Sequence, residues 1–68
     1  MTVGSQLKQT LAGLKGGRGT LRVYANMARQ EEAQKAYSEA LQEIDEIISA
    51  LEERLSAVEY EEPQYKGY

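Results

Sequence analysis

The sequence predicts an all-α fold: a two-helix antiparallel hairpin that self-associates into a helical bundle, most simply a dimeric four-helix bundle, with an extended C-terminal tail. Three observations carry this expectation. Leu7, Leu11, Leu14, Arg18, Leu21, Ala25 and Ala28 follow at alternating steps of four and three, a heptad seam along one helix face. Ala33, Tyr37, Ala40, Ile44, Ile47, Leu51 and Val58 form a second seam out of phase with the first, whose continuation would put core positions at Glu32 and Lys35. Finally, a 68-residue chain with no Cys and no His has neither a disulfide nor a zinc knot to supplement a small core, so partner chains are the expected source of extra stability.

The whole chain, 1–68, reads as one domain, and the elements follow in order. The first helix is expected over 5–26, with Ser5 as an acceptable N-cap. Gly13, Gly16, Gly17 and Gly19 weaken it, because each glycine costs roughly 1 kcal/mol in a helix interior relative to Ala. A phosphate-binding loop is a poor match for this cluster: Arg18 stands where the second Gly of a P-loop belongs, and no strand-forming run precedes it. The plainer reading is a helix that approaches a neighbour closely, or one that frays locally. Between about 26 and 32 the apolar stripe breaks. Asn26 can end a helix in a left-handed conformation, and Glu31 and Glu32 suit the positive end of the next one. With neither Gly nor Pro at the break, one bent or continuous helix stays the alternative to a hairpin.

The second helix is expected over 29–60, stopped by Pro63. Beside its seam, Leu41, Ile48 and Leu55 add another column, and Ala36, Ala50 and Ala57 widen the stripe on the other flank. Such a stripe exceeds what one neighbouring helix can cover, as in a bundle rather than a two-stranded coil. The large side chains of the two stripes, Leu7, Leu11, Leu14, Leu21, Tyr37, Leu41, Ile44, Ile47, Ile48, Leu51, Leu55 and Val58, are therefore the expected oligomer interface. The tail, 61–68, is acidic and follows Tyr60; with Pro63, Tyr65 and Tyr68 it reads either as a flexible end or as a strap that lays rings into a groove of its own assembly or of another protein.

Charge divides the chain. Residues 1–30 carry Lys8, Lys15, Arg18, Arg22 and Arg29 and no acid, a sum of +5, whereas residues 31–68 carry 11 acids against Lys35, Arg54 and Lys66, a sum of −8. Lys8, Lys15, Arg22 and Arg29 recur every seven residues in one basic line. Nucleic-acid or anionic-surface binding is the sharper reading of that line, but the net charge of −3 and the lack of interleaved aromatics favour basic side chains that cover the core edge and meet acids on an adjacent helix. Glu32, Glu39, Glu46 and Glu53 form a second line, opposite the apolar stripe, and read as a solvated face. A di-iron site would need Glu-x-x-His motifs and acids in the first half, and the chain has neither. No catalytic residue, metal ligand or cofactor site is expected, since His and Cys, the commonest general base and thiol nucleophile, are missing.

The opening Met1-Thr2-Val3-Gly4-Ser5-Gln6-Leu7-Lys8-Gln9-Thr10-Leu11, then Leu14-Lys15-Gly16, and the closing Glu61-Glu62-Pro63-Gln64-Tyr65-Lys66-Gly67-Tyr68 resemble short proteins of endospore-forming Firmicutes, domain-of-unknown-function family 1657. The middle departs from the pattern, with Ala28-Arg29-Gln30 where a Thr-x-Asp type cap would precede Glu31-Glu32-Ala33. The resemblance implies a sporulation context, and a forespore or spore location, with no catalytic activity or cofactor attached. From the residues themselves, no signal-peptide core and no membrane-spanning run is present, so a cytoplasmic chain without membrane insertion is expected. The functional expectation is a non-enzymatic structural or adaptor protein that acts by helical self-association, with the nucleic-acid reading as the alternative.

Overall fold

The computed structural model describes residues 3–61. Two α-helices follow in chain order, α1 (Val3–Met27) and α2 (Glu31–Glu61), and no strand occurs among the described residues. The helices pack against each other as an antiparallel hairpin, which settles the choice against one continuous helix. The expected tail residues Pro63, Tyr65 and Tyr68 lie outside the described residues; the last residue of α2, Glu61, stands two positions before Pro63.

The turn is made without glycine. Asn26 does not end α1: the helix includes it and runs to Met27. The N–H of Ala28 still donates to Tyr24 O at 3.0 Å in helical fashion and is shared with Ala25 O at 3.3 Å. The Gln34 side-chain amide, one turn into α2, donates to Ala28 O at 2.9 Å and satisfies a carbonyl that the end of α1 leaves open. On the other side, Gln30 O accepts from Gln34 N–H at 3.0 Å, which makes Gln30 the N-cap residue. Glutamine is a weak cap, and Glu31 and Glu32 in the first turn offset that by placing negative charge at the positive end of α2. At the other end α1 begins at Val3, so Ser5 lies inside its first turn rather than capping it.

The hairpin measures 50 × 16 × 11 Å, two helices wide and one deep. Among the described residues only Gly4, Leu11 and Ile48 are buried. The rest of the α1 seam, Leu7, Leu14, Arg18, Leu21, Ala25 and Ala28, is half-buried, as a one-layer structure requires.

The glycines of α1 all lie within its helix. A methyl group added at Gly13, Gly16, Gly17 or Gly19 would meet nothing within 4 Å, so α2 does not approach α1 closely at these positions, where α1 is helical throughout. Their cost in helix propensity is not repaid inside the hairpin. Gly16 and Gly19 lie on the outer side of α1, away from its seam. Replacing both with Ala is expected to raise stability by roughly 1–2 kcal/mol, measured by thermal unfolding at fixed chain concentration.

Candidate functional site

The covered stripe of α2 is Tyr37, Leu41, Ile44, Ile48, Leu51, Leu55 and Val58, again at steps of four and three. It runs through Ile48, which is 3% exposed, and not through Ile47, which is 50% exposed. This corrects the expected seam at Ile47, while Ala33 and Ala40 of that seam are half-buried. Leu41, Ile48 and Leu55 were the extra column and are covered by α1; Ile47, with Ala36, Ala50 and Ala57, faces away from it.

Charge on one edge explains that rotation. Lys8 Nζ lies 3.1 Å from a Glu59 carboxylate oxygen, and Lys15 Nζ lies 3.0 Å from Glu52. Seven residues forward along α1 match seven residues back along α2, so both pairs report one antiparallel register. Arg18 Nη1 donates to Asp45 Oδ1 at 2.9 Å on the same edge. Asp45, Glu52 and Glu59 are seven apart and stand beside Leu41, Ile48 and Leu55, so these pairs turn that side of α2 toward α1. The acids that meet the basic line are therefore this column, while Glu32, Glu39, Glu46 and Glu53 are exposed, as expected of a solvated face. Arg22 and Arg29 are exposed and make no ion pair among the described residues.

The opposite edge has a different character. On α1, Thr10, Gly13, Gly17, Thr20 and Tyr24 share one face at steps of three and four. On α2 the matching column is Ala36, Ala40, Glu43, Ile47, Ala50, Arg54 and Ala57. Thr10 and Arg54 line one groove together with Val3, Gln6, Leu7 and Val58, which places the two columns on the same side of the hairpin. Toward the turn, Tyr24 tilts onto Tyr37 with ring centroids 6.2 Å apart. The Thr10 hydroxyl donates to Gln6 O at 3.1 Å and the Thr20 hydroxyl to Gly16 O at 3.3 Å, so neither holds a donor out to solvent. The result is a face of small and apolar groups with two charges in it. Tyr24 is 49% exposed and Ile47 50% exposed, on columns that also carry Thr20 and Glu43.

Chemistry is thinly provided. No group of three or more His, Cys, Asp or Glu able to hold a metal ion occurs among the described residues. A depression on α2 bordered by Ser38, Asp45, Glu46, Ser49 and Glu53 is open to solvent, and no hydrogen bond among the described residues links its hydroxyls to its carboxylates. No described helix is long and apolar enough to cross a membrane. The family model described as "Protein of unknown function (DUF1657)" matches residues 7–55. The chain belongs to this family. Comparison with curated proteins and with solved structures returns no match. The stretch shared with the DUF1657 family holds the turn, the Lys15–Glu52 and Arg18–Asp45 pairs and most of the small-residue face.

Of the residues expected at an oligomer interface, Leu7, Leu11, Leu14, Leu21, Tyr37, Leu41, Ile44, Ile48, Leu51, Leu55 and Val58 line the contact between α1 and α2, and Ile47 lies outside it. Tyr60 lies within α2 and is 86% exposed. The sequence reading missed the column formed by Asp45, Glu52 and Glu59, although its seven-residue spacing, equal to that of Lys8 and Lys15, was the signal. Exchanging charge there tests the register. Lys15→Glu is expected to lower stability by about 0.5 kcal/mol at low salt, and adding Glu52→Lys to restore it, with both effects fading in molar salt; urea unfolding reads each.

Proposed function

We propose that this DUF1657 chain is a non-enzymatic structural or adaptor protein that works by self-association, as a dimeric four-helix bundle formed when two hairpins stack face to face. One observation carries the reading. The hairpin is a single layer in which, among the described residues, only Leu11 and Ile48 of the large side chains are buried, and the apolar stripe of α2 continues past the edge of α1 to Ile47. A second layer laid on that face supplies the missing cover. The absence of His and Cys supports a role in binding rather than catalysis. The resemblance at the two ends of the sequence supports a sporulation or spore setting inside the cell.

Sedimentation equilibrium at micromolar concentration is expected to give twice the 7.6 kDa chain mass. Ile47→Gln is expected to shift the distribution toward the monomer, because the polar amide would be buried in the new contact and not in the hairpin. A folded monomer at every concentration would overturn the reading.

Arg22 of α1 and Arg29 in the turn favour a second reading, in which they bind nucleic acid or another polyanion, since both are exposed and without an acid partner among the described residues. Under this reading a DNA or RNA oligomer binds at low salt, the affinity falls steeply as salt rises, and Arg22→Gln with Arg29→Gln abolishes it. Under the self-association reading the same titration gives no saturable binding.

A further inference from the structure

The open end of the hairpin, where α1 begins and α2 ends, carries the groove lined by Val3, Gln6, Leu7, Thr10, Arg54 and Val58. Val3 is 53% exposed, and Leu7 and Val58 are half-buried, so its apolar wall is only partly covered by the hairpin itself. The one charge in it is Arg54, which is exposed and makes no ion pair among the described residues. Because the Thr10 hydroxyl already donates to Gln6 O, covering it strands no donor.

The chain leaves the described residues beside this groove. Helix α2 ends at Glu61, and Arg54, Val58 and Glu61 follow at steps of four and three, which places all three on one side of the helix. The sequence continues with Glu62-Pro63-Gln64-Tyr65-Lys66-Gly67-Tyr68. Proline disfavours helix at the residue before it and suits the second position of a reverse turn, so Glu62-Pro63-Gln64-Tyr65 is a place where the chain can double back toward the groove. The lengths then agree. From Val3 to Thr10 is seven helical steps, about 10 Å. From Tyr65 to Tyr68 is three extended steps, again about 10 Å.

We infer that the occupant of this groove is the chain's own segment 62–68, with the Tyr65 ring on Val3 and Val58 and the Tyr68 ring on Leu7 against the Arg54 guanidinium. A connection of three residues holds the rings at an effective concentration of roughly millimolar or more, which favours them over a peptide from elsewhere. This docking is independent of self-association. It fills the open end of the small-residue face and leaves the half toward the turn, with Ala36, Ala40 and Ile47, for a second hairpin.

Because the chain has no cysteine, paired substitutions can locate the segment. Thr10→Cys with Gly67→Cys is expected to close a disulfide within one chain on mild oxidation, about tenfold or more faster than Ser49→Cys with Gly67→Cys, since Ser49 lines the depression on the outer side of α2 and not the groove. Removing residues 62–68 is expected to lower the midpoint of thermal unfolding by about 4–8 °C at fixed chain concentration. The same deletion moves the amide resonances of residues 3–10 and 54–58 and leaves those of 20–40 in place. Tyr65→Ser with Tyr68→Ser reproduces both effects, and Lys66→Ser reproduces neither. Equal disulfide rates for the two pairs, or resonances at 3–10 and 54–58 that ignore the deletion, would overturn the docking. A disulfide between chains in place of the internal one would also overturn it, and give the groove to the tail of another copy.

Discussion

Two helices joined by a tight turn make one layer, and one layer cannot enclose its own core. Each seam residue is covered by the opposing helix and remains open on both flanks, which is why, among the described residues, Leu11 and Ile48 alone of the large side chains are shielded. The other features of the molecule are arranged around that shortage. The α2 stripe is wider than α1 can cover, and its surplus is small: Ala36, Ala50 and Ala57 are exposed at little cost in apolar area, and Ile47 is the one large group among them.

The two edges of the layer are specialised in opposite ways. One carries Lys8, Lys15 and Arg18 against Glu59, Glu52 and Asp45, at 2.9–3.1 Å. Exposed pairs of this kind contribute less than about 1 kcal/mol each, too little to hold the hairpin together. Their effect is selective: they favour the antiparallel register and turn Leu41, Ile48 and Leu55 inward. With charge concentrated there and on the outer side of α2, the opposite edge is left with only Glu43 and Arg54 in the column of α2 and none in the facing column of α1.

The glycines of α1 fit the same division. In the isolated hairpin they lower helix propensity and touch nothing, so a stability argument confined to one chain has no use for them. Gly13 and Gly17 lie on the face that self-association would cover, where the absence of a side chain lets a neighbouring backbone come close. Gly16 and Gly19 point elsewhere, and nothing in the structure explains them.

The sequence by itself determined the helices, the break between them and the α1 seam, because a heptad pattern states which residues share a face whatever packs on it. It also determined that the Glu32, Glu39, Glu46 and Glu53 line faces solvent, since that line is opposite the apolar stripe. It did not determine which part of the wide α2 stripe α1 would cover. Ile47 and Ile48 are equally apolar and adjacent, and periodicity cannot rank two neighbouring columns. Only tertiary structure decided between them, through the register that Lys8–Glu59 and Lys15–Glu52 impose across the edge. The turn was similarly out of reach: the residue that completes it, Gln34, lies inside the second helix and acts through a side-chain hydrogen bond to Ala28 that no local turn signal encodes. Spacing along one chain reports faces, whereas rotation of one helix about another depends on contacts between residues far apart in sequence.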